Sequence, residues 1–511
     1  MLWSALCAPP LVVLGLVFLW PLAASIAASF TRAGVVTLAN YETVWRLYAR
    51  DVAYTLGVAL AGTALTFAVT IPVCGWLRVR AFGPVEFLLK VPLFVPFVVV
   101  GHALRVFLAP WAPGLAGSWT GIAAALAWKH VGLAALLLLG AFRAVDESYL
   151  EAARNFGAGT SRLTRDVLGA DGRSVTRRER GADLFVDARL ILDSADDGAR
   201  QRQPDADDRR VLPLRPARRL RDGGRARGRR LSARDGRGAR LPAAGDAMRG
   251  MIVRAAALAV AAFVIVGPLA SLGVWSLAER WTAPSPWPQR FGLRYWSRML
   301  TPDFLEPLRL GVVIAIIVTA LALVLAVPLG YALARLSLPG RTAVLLAFLM
   351  PQAFPQLPVF ASATREFYRW GLAGTVSGVV LVHLVGALVF AVWTMTAVFR
   401  AIDSRLEEAA WNLGASTTRG FLTIALPLGA PGVVASAVLV FLYSLDEFTG
   451  TLLVGAPFVT TLPVYMYTAS QGYELQIASV TALVLMAPGA VLLLLLERFL
   501  RSEYLVFFGQ V

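Results

Sequence analysis

Few residues of this 511-residue sequence are placed to do chemistry, and those few lie in or beside long apolar runs. Asp446 and Glu447 sit in Phe441-Leu442-Tyr443-Ser444-Leu445-Asp446-Glu447-Phe448, within the apolar run 430–454. Charged side chains are costly in a bilayer and usually face a bundle interior or a water-filled cavity. The pair could therefore line a path for a small solute and would favour a cationic one. A bond to a neighbouring helix, or a place near the outer interface, accounts for them equally well. Lys129, next to His130, is a lesser candidate of the same kind. The histidines, His102, His130 and His383, are far apart in sequence and read as polar helix contacts rather than as a ligand set. Cys7 and Cys74 also fall in or beside apolar runs, which argues against a disulfide framework and a thiolate metal site. No GxxxxGK[ST] phosphate loop occurs, so ATP is not bound by that route. With no catalytic constellation, the chain reads as a non-enzyme with no metal site and no cofactor of its own.

The elements that must hold these residues follow from composition. The sequence is 57% hydrophobic and only 16% charged, and uncharged runs recur throughout it. A helix needs about 20 apolar residues to span a bilayer. Water is absent there, so spanning segments rich in Leu, Ala and Val must close their backbone hydrogen bonds internally as helices. The expectation is an all-α polytopic membrane protein. Spans are placed near 9–30, 53–77, 87–109 and 121–142, then near 252–278, 307–334, 342–363, 374–399, 430–454 and 476–497. Pro72, Pro96, Pro328, Pro351 and Pro355 fall inside these spans, as tolerated kinks. Residues 1–30 lack a basic n-region and a small-residue cleavage site, so they read as a retained first span.

A polar interruption, 398–427, separates two of the apolar runs, and it has a twin. At an offset of 257 residues, Gly114-Leu115-Ala116-Gly117 matches Gly371-Leu372-Ala373-Gly374, and Phe142-Arg143-Ala144 matches Phe399-Arg400-Ala401. Glu151-Ala152-Ala153 matches Glu408-Ala409-Ala410, with Asp146 on Asp403, Asn155 on Asn412 and Gly157 on Gly414. So many coincidences at one offset mark two tandem copies of one unit. Each copy carries a short, charged, Ala-rich surface helix that a glycine can end. The basic segments 78–90, 143–165, 335–341, 400–419 and 498–501 would lie on one side, the cytoplasmic side, with the N-terminus there too.

The first copy breaks off after Leu168. Where the second copy reads Ile424-Ala425-Leu426-Pro427 and enters apolar sequence, the first enters a tract rich in Arg, Asp, Gly and Ala. Residues 171–249 hold 21 Arg against 12 Asp and one Glu, a net +8 of the total +16. The tract reads either as an insertion that composition keeps from folding, or as a stretch translated out of frame from a GC-rich gene. Lys90 and Lys129 are the only lysines, which suits such a gene. The organisation is therefore a first module, 1–170, the tract, 171–249, and a second module with six spans, 250–511.

The spacing of Glu408-Ala409-Ala410, Gly414, Ile424 and Leu426-Pro427 resembles the EAA loop of ABC importer permeases, and the whole chain outside the tract is similar to a fused, two-module type I permease. The group includes iron(III), thiamine and polyamine permeases, and Ser444-Leu445-Asp446-Glu447-Phe448 with Thr460-Thr461-Leu462-Pro463-Val464 is similar to the polyamine and thiamine members. The resemblance implies 12 spans, and coupling helices at Glu151, Ala152, Ala153 and Gly157 and at Glu408, Ala409, Ala410 and Gly414. It implies a dimer of ATP-binding cassette subunits as one partner, which consumes the ATP, and a periplasmic or extracellular solute-binding protein as another. It implies an inner, cytoplasmic membrane, with alternating access as the mechanism and no nucleic-acid partner. A secondary transporter with repeated bundles is the rival, needing neither ATPase nor paired loops. A membrane-anchored nucleic-acid-binding protein would require the Arg tract as translated. Translation of the gene in its other two frames across 169–249 is expected to yield two apolar spans with a Leu-Pro near their start; two polar translations would leave the insertion.

Overall fold

The computed structural model describes residues 2–110, 112–155, 159, 244–282, 285, 287–336 and 340–500. Gly157 and residues 171–243 lie outside the described residues. Leu2–Leu14 (α1) and Trp20–Ser29 (α2) run on through a π-helical turn, Gly15–Leu19. Ala39–Val79 (α3), Gly83–Lys90 (α4), Phe97–Leu108 (α5), Trp119–Ala144 (α6) and Glu147–Asn155 (α7) complete the first half. The second half has Ala244–Leu277 (α8), Pro302–Arg335 (α9), Arg341–Ala353 (α10), Gln356–Arg369 (α11), Val376–Ala401 (α12), Arg405–Asn412 (α13), Leu426–Asp446 (α14), Leu462–Gln471 (α15) and Leu475–Leu500 (α16). Small antiparallel ribbons, Thr31–Arg32 with Val35–Val36 and Ala278–Arg280 with Arg290–Phe291, follow the first span of each half. Among the described residues, eight helices are long and apolar enough to cross a membrane, and ten crossings result if each of two bent pairs counts as one. The chain is an all-α polytopic membrane protein.

The bent pairs correct two of the expected spans. Residues 87–109 and 342–363 are not kinked helices but broken ones, turning by 113° at Val95-Pro96 and by 99° at Phe354-Pro355. In both, the residue before proline is extended, Val95 at ψ 122° and Phe354 at ψ 145°. Proline's ring excludes the helical region for its predecessor and removes a backbone donor. Pro72, Pro328 and Pro351 remain inside α3, α9 and α10.

The repeat in sequence is a repeat in structure. Ser118 caps α6 by accepting from the Gly121 amide at 3.1 Å, and Thr375 caps α12 by accepting from the Gly378 amide at 3.1 Å. A Cβ on Gly121 would strike the Leu115 carbonyl oxygen, and one on Gly378 the Leu372 carbonyl oxygen. Gly114-Leu115-Ala116 forms a short helical turn and Gly371-Leu372-Ala373-Gly374 a loop, and both fold tightly under a helix start, where a side chain at Gly121 or Gly378 has no room.

The first span of each copy packs on the other copy. α1 lies on α9, and α2 lies on α11, where Ser362 donates to Ser25 at 3.0 Å. Conversely α8 packs on α4 and α5, with Trp128 donating to the Val264 carbonyl at 2.9 Å and the Phe107 and Phe263 rings 5.6 Å apart. The largest core lies between α9 and α12 and uses Ala322, Ala326, Leu329, Val385, Val392 and Met395. Small residues let these backbones approach. In the most apolar stretch of α12, 72% of residues are buried, against 39% in its counterpart α6. α14 packs on both α9 and α12 and adds to the burial of α12.

Gly330 sits where a Cβ would lie 2.5 Å from the Met395 Cβ, whereas Gly57 on α3 faces open space. Gly330→Ala is expected to cost about 1–3 kcal/mol through overpacking, despite alanine's higher helix propensity, and Gly57→Ala to cost nothing. Thermal unfolding of both variants in detergent checks the contrast.

Candidate functional site

The matched polar loops form short helices at the same end of the molecule as the ends of α6 and α12. Asp146 starts the first by accepting from the Ser148 amide at 2.8 Å, and Asp403 starts the second by accepting from the Arg405 amide at 3.0 Å. That hydrogen bond holds the Asp146 carboxyl below its usual pKa. α13 ends on Gly414, at φ +88°, whose amide donates to the Trp411 carbonyl while the Ala415 amide donates to the Ala410 carbonyl. This is the Schellman arrangement, in which glycine supplies the left-handed residue. A Cβ on Gly414 would meet nothing within 4 Å, so the backbone angle, not space, calls for glycine.

Of the expected coupling residues, Glu151, Ala152, Glu408 and Ala409 are exposed, and Ala153 and Ala410 are half-buried. Glu408 accepts from the Ser404 hydroxyl at 3.0 Å, which steadies the first turn of α13. Exposed apolar residues interrupt this polar surface: Tyr149 and Leu406 at equivalent positions of the two helices, and Leu413, 89% exposed, beyond the end of α13. A short helix that shows water carboxylates, alanines and a leucine on one face is suited to being covered by another protein.

Two arginines that sequence reasoning passed over hold these helices. Arg78, at the end of α3, donates from Nε to the Phe142 carbonyl at 2.9 Å and from Nη2 to the Val145 carbonyl at 3.1 Å, and pairs with Glu147 at 2.7 Å. Arg335, at the end of α9, donates from Nη2 to the Ile402 carbonyl at 2.5 Å and pairs with Glu407 at 2.5 Å. Arg78 and Arg335 stand at the offset of 257, as do Val145 and Ile402, so the repeat itself carried the signal. The Arg335–Glu407 pair is buried, with side-chain exposures of 9% and 0%. Removing one partner of such a pair costs about 3–5 kcal/mol, because the other charge stays buried. Glu147 is 48% exposed, and the guanidinium of Arg78 holds its carboxyl below the usual range.

The charged residues in the apolar layer divide into two sets. Asp446 and Glu447 lie at the end of a span rather than well inside it as expected: α14 ends at Asp446, and Glu447 is extended at ψ 120°. Glu447 is buried and fully engaged, accepting from the Gly450 and Thr451 amides at 2.8 and 3.1 Å and lying 3.2 Å from His383 Nε2. His383 also bonds Ser444 at 2.8 Å and Thr451 at 2.7 Å. Glu447 thus closes the start of the turn that follows the break. Asp446 is half-buried at the end of α14. The Lys129 ammonium donates to the Pro92 carbonyl at 3.1 Å and to the Val95 carbonyl, and lies 4.9 Å from the centre of the Phe97 ring. His102 bonds Ser470 at 3.1 Å and Ser479 at 3.0 Å across the two copies, and His130 bonds only the Leu126 carbonyl of its own helix. The structure therefore brings Glu447 and His383 together, while Lys129 is held by backbone carbonyls of its own copy.

Residues 326–503 match the family described as binding-protein-dependent transport system inner membrane component. The trehalose transport system permease protein SugB of Mycobacterium tuberculosis is 33% identical over 190 residues, which is 36% of this chain and 69% of that protein. A probable molybdenum ABC transporter permease protein of Haloferax volcanii is 33% identical over 36% of this chain and 71% of its own length. The molybdate/tungstate transport system permease protein WtpB of Thermococcus kodakarensis is 28% identical over 36% of this chain and 74% of its length. With membrane-crossing helices and relatives of this kind, the chain belongs to the binding-protein-dependent transport system inner membrane component family, the permeases of type I ABC importers.

Proposed function

We propose that this chain supplies both permease positions of its importer, one from each copy, and that α7 and α13 are coupling helices that dock a dimer of ATP-binding subunits. The observation that carries this reading is the duplication of one exposed helix, with its Asp start at Asp146 and Asp403 and its exposed apolar residue at Tyr149 and Leu406. ATP is used by the partner; a solute-binding protein delivers from the opposite face, and the membrane is the bacterial inner membrane with the N-terminus inside. Glu151, Ala152, Ala153 and Gly157 belong to the first docking surface, and Glu408, Ala409, Ala410 and Gly414 to the second.

For the solute, the candidate carboxyl is Asp446, half-buried at the end of α14, and it favours a small cation of the thiamine, iron(III) or polyamine kind. Glu447 contributes to the path by fixing the break beside Asp446 rather than by meeting the solute. A second reading is a neutral polar solute, as the name of the trehalose relative suggests.

Leu413→Glu is expected to reduce co-purification of the ATP-binding subunit at least tenfold with membrane insertion unchanged. Gly414→Val, which cannot easily hold φ +88°, is expected to lose ATP-driven uptake, and Gly414→Asn to retain most of it. Uptake of thiamine, putrescine, ferric ion, trehalose and molybdate by proteoliposomes is the measurement for Asp446→Asn. A cation path predicts loss confined to the cationic solutes; unchanged uptake of every solute removes Asp446 from the path.

A further inference from the structure

Arg78 and Arg335 do the same mechanical job in the two copies. Each leaves the last turn of a long membrane helix, α3 or α9, and reaches the carbonyl of Val145 or Ile402, the first residue of the short linker between the preceding span and the exposed helix. A guanidinium can hold several acceptors in one plane, which an ammonium cannot. Arg78 uses this to grip the Phe142 and Val145 carbonyls and Glu147 together. Arg335 grips the Ile402 carbonyl and Glu407, the carboxylate being drawn from the third position of α13. The equivalent of Glu407 in α7 is Leu150, buried as completely, and the equivalent of Glu147 is Ser404. The carboxylate has changed position between the copies while the arginine and the joining carbonyl have not.

We propose that Arg78 and Arg335 are the positioning residues through which movement of each exposed helix is passed to α3 and α9. This rests on the coupling reading of α7 and α13. A packing role alone would let the arginine bond any nearby carbonyl; here both select the hinge between span and exposed helix. When α7 or α13 is displaced, its hinge carbonyl pulls on the guanidinium, and the end of the long helix follows. The second latch is buried and the first is half in water, so α13 is held more stiffly than α7.

The test uses the full chain reconstituted with its co-expressed ATP-binding subunit, with the buried Cys7 and Cys74 changed to Ala. One spin-label pair, at Ser148→Cys and Arg405→Cys, reports the separation of α7 and α13; a second, at Glu42→Cys and Glu306→Cys, reports the far ends of α3 and α9. In the otherwise unchanged chain, ATP with Mg2+ and vanadate is expected to shift both distances. In Arg78→Ala/Arg335→Ala the first shift is expected to persist and the second to be lost. Arg335→Met/Glu407→Leu with Arg78→Ala leaves no unpaired buried carboxylate, and the same split is expected there. Ser404→Glu/Glu407→Leu, which moves the carboxylate to its place in the first copy, is expected to keep both shifts. If both shifts persist without the arginines, the latch is overturned while the docking role stands. If the first shift is also lost in both arginine-free chains, the arginines only support docking, and the latch is again overturned. If the first pair does not move even with both arginines present, the coupling reading fails and the latch with it.

Discussion

Water cannot reach the hydrocarbon layer, so each amide or carbonyl freed by a break in a helix there must find its partner within the chain. Much of the polar chemistry in this permease is arranged by that requirement. The turn at Val95-Pro96 leaves the carbonyl of Val95 without a helical donor, and the Lys129 ammonium takes it, together with the Pro92 carbonyl that the Val95 amide also reaches. The turn after Asp446 leaves the amides of Gly450 and Thr451 without acceptors, and Glu447 supplies its two carboxylate oxygens. His383 then covers the remaining charge, with Ser444 and Thr451 completing its ring contacts. Residues that look like candidates for solute binding are, on this accounting, first of all the closures of broken backbone.

The same accounting explains why breaks are tolerated. A break lets the chain turn by about a right angle inside the bundle, as both bent pairs do, and irregular backbone at this depth survives where protein surrounds it. Exchange of the first spans provides some of that surrounding: α8 covers α4 and α5 of the first copy, and α2 covers α11 of the second. The bundle is therefore held together by elements that are distant in sequence, and its two copies cannot separate without unpacking both.

The residues on the exposed end were legible in sequence to different depths. The duplicated Glu-Ala-Ala segments announced a pair of surface helices, and the placement of Asp403 and Gly414 at their start and stop follows from local backbone chemistry that adjacent residues carry. Arg78 and Arg335 were not read, although the repeat aligns them, because in isolation each is one more basic residue at the end of a span. Their meaning depends on the Val145 and Ile402 carbonyls, 67 residues further on in both copies. Glu407, on a helix whose composition reads as a charged surface helix, is fully buried, since Arg335 compensates it from another helix.

The sequence by itself determined that the chain crosses a membrane many times as helices, that it contains one unit twice, and that each unit presents a short polar helix. These follow from composition, periodicity and repetition, which are properties of the chain alone. Tertiary structure decided which prolines break a span and which only sit in one: Pro96 and Pro355 break, whereas Pro72, Pro328 and Pro351 do not. It also decided which charges are occupied, Glu407 and Glu447 among them. The reason is the same in each case. A freed backbone group or a buried charge is affordable only if a partner arrives from another helix, and such partners lie tens to hundreds of residues away.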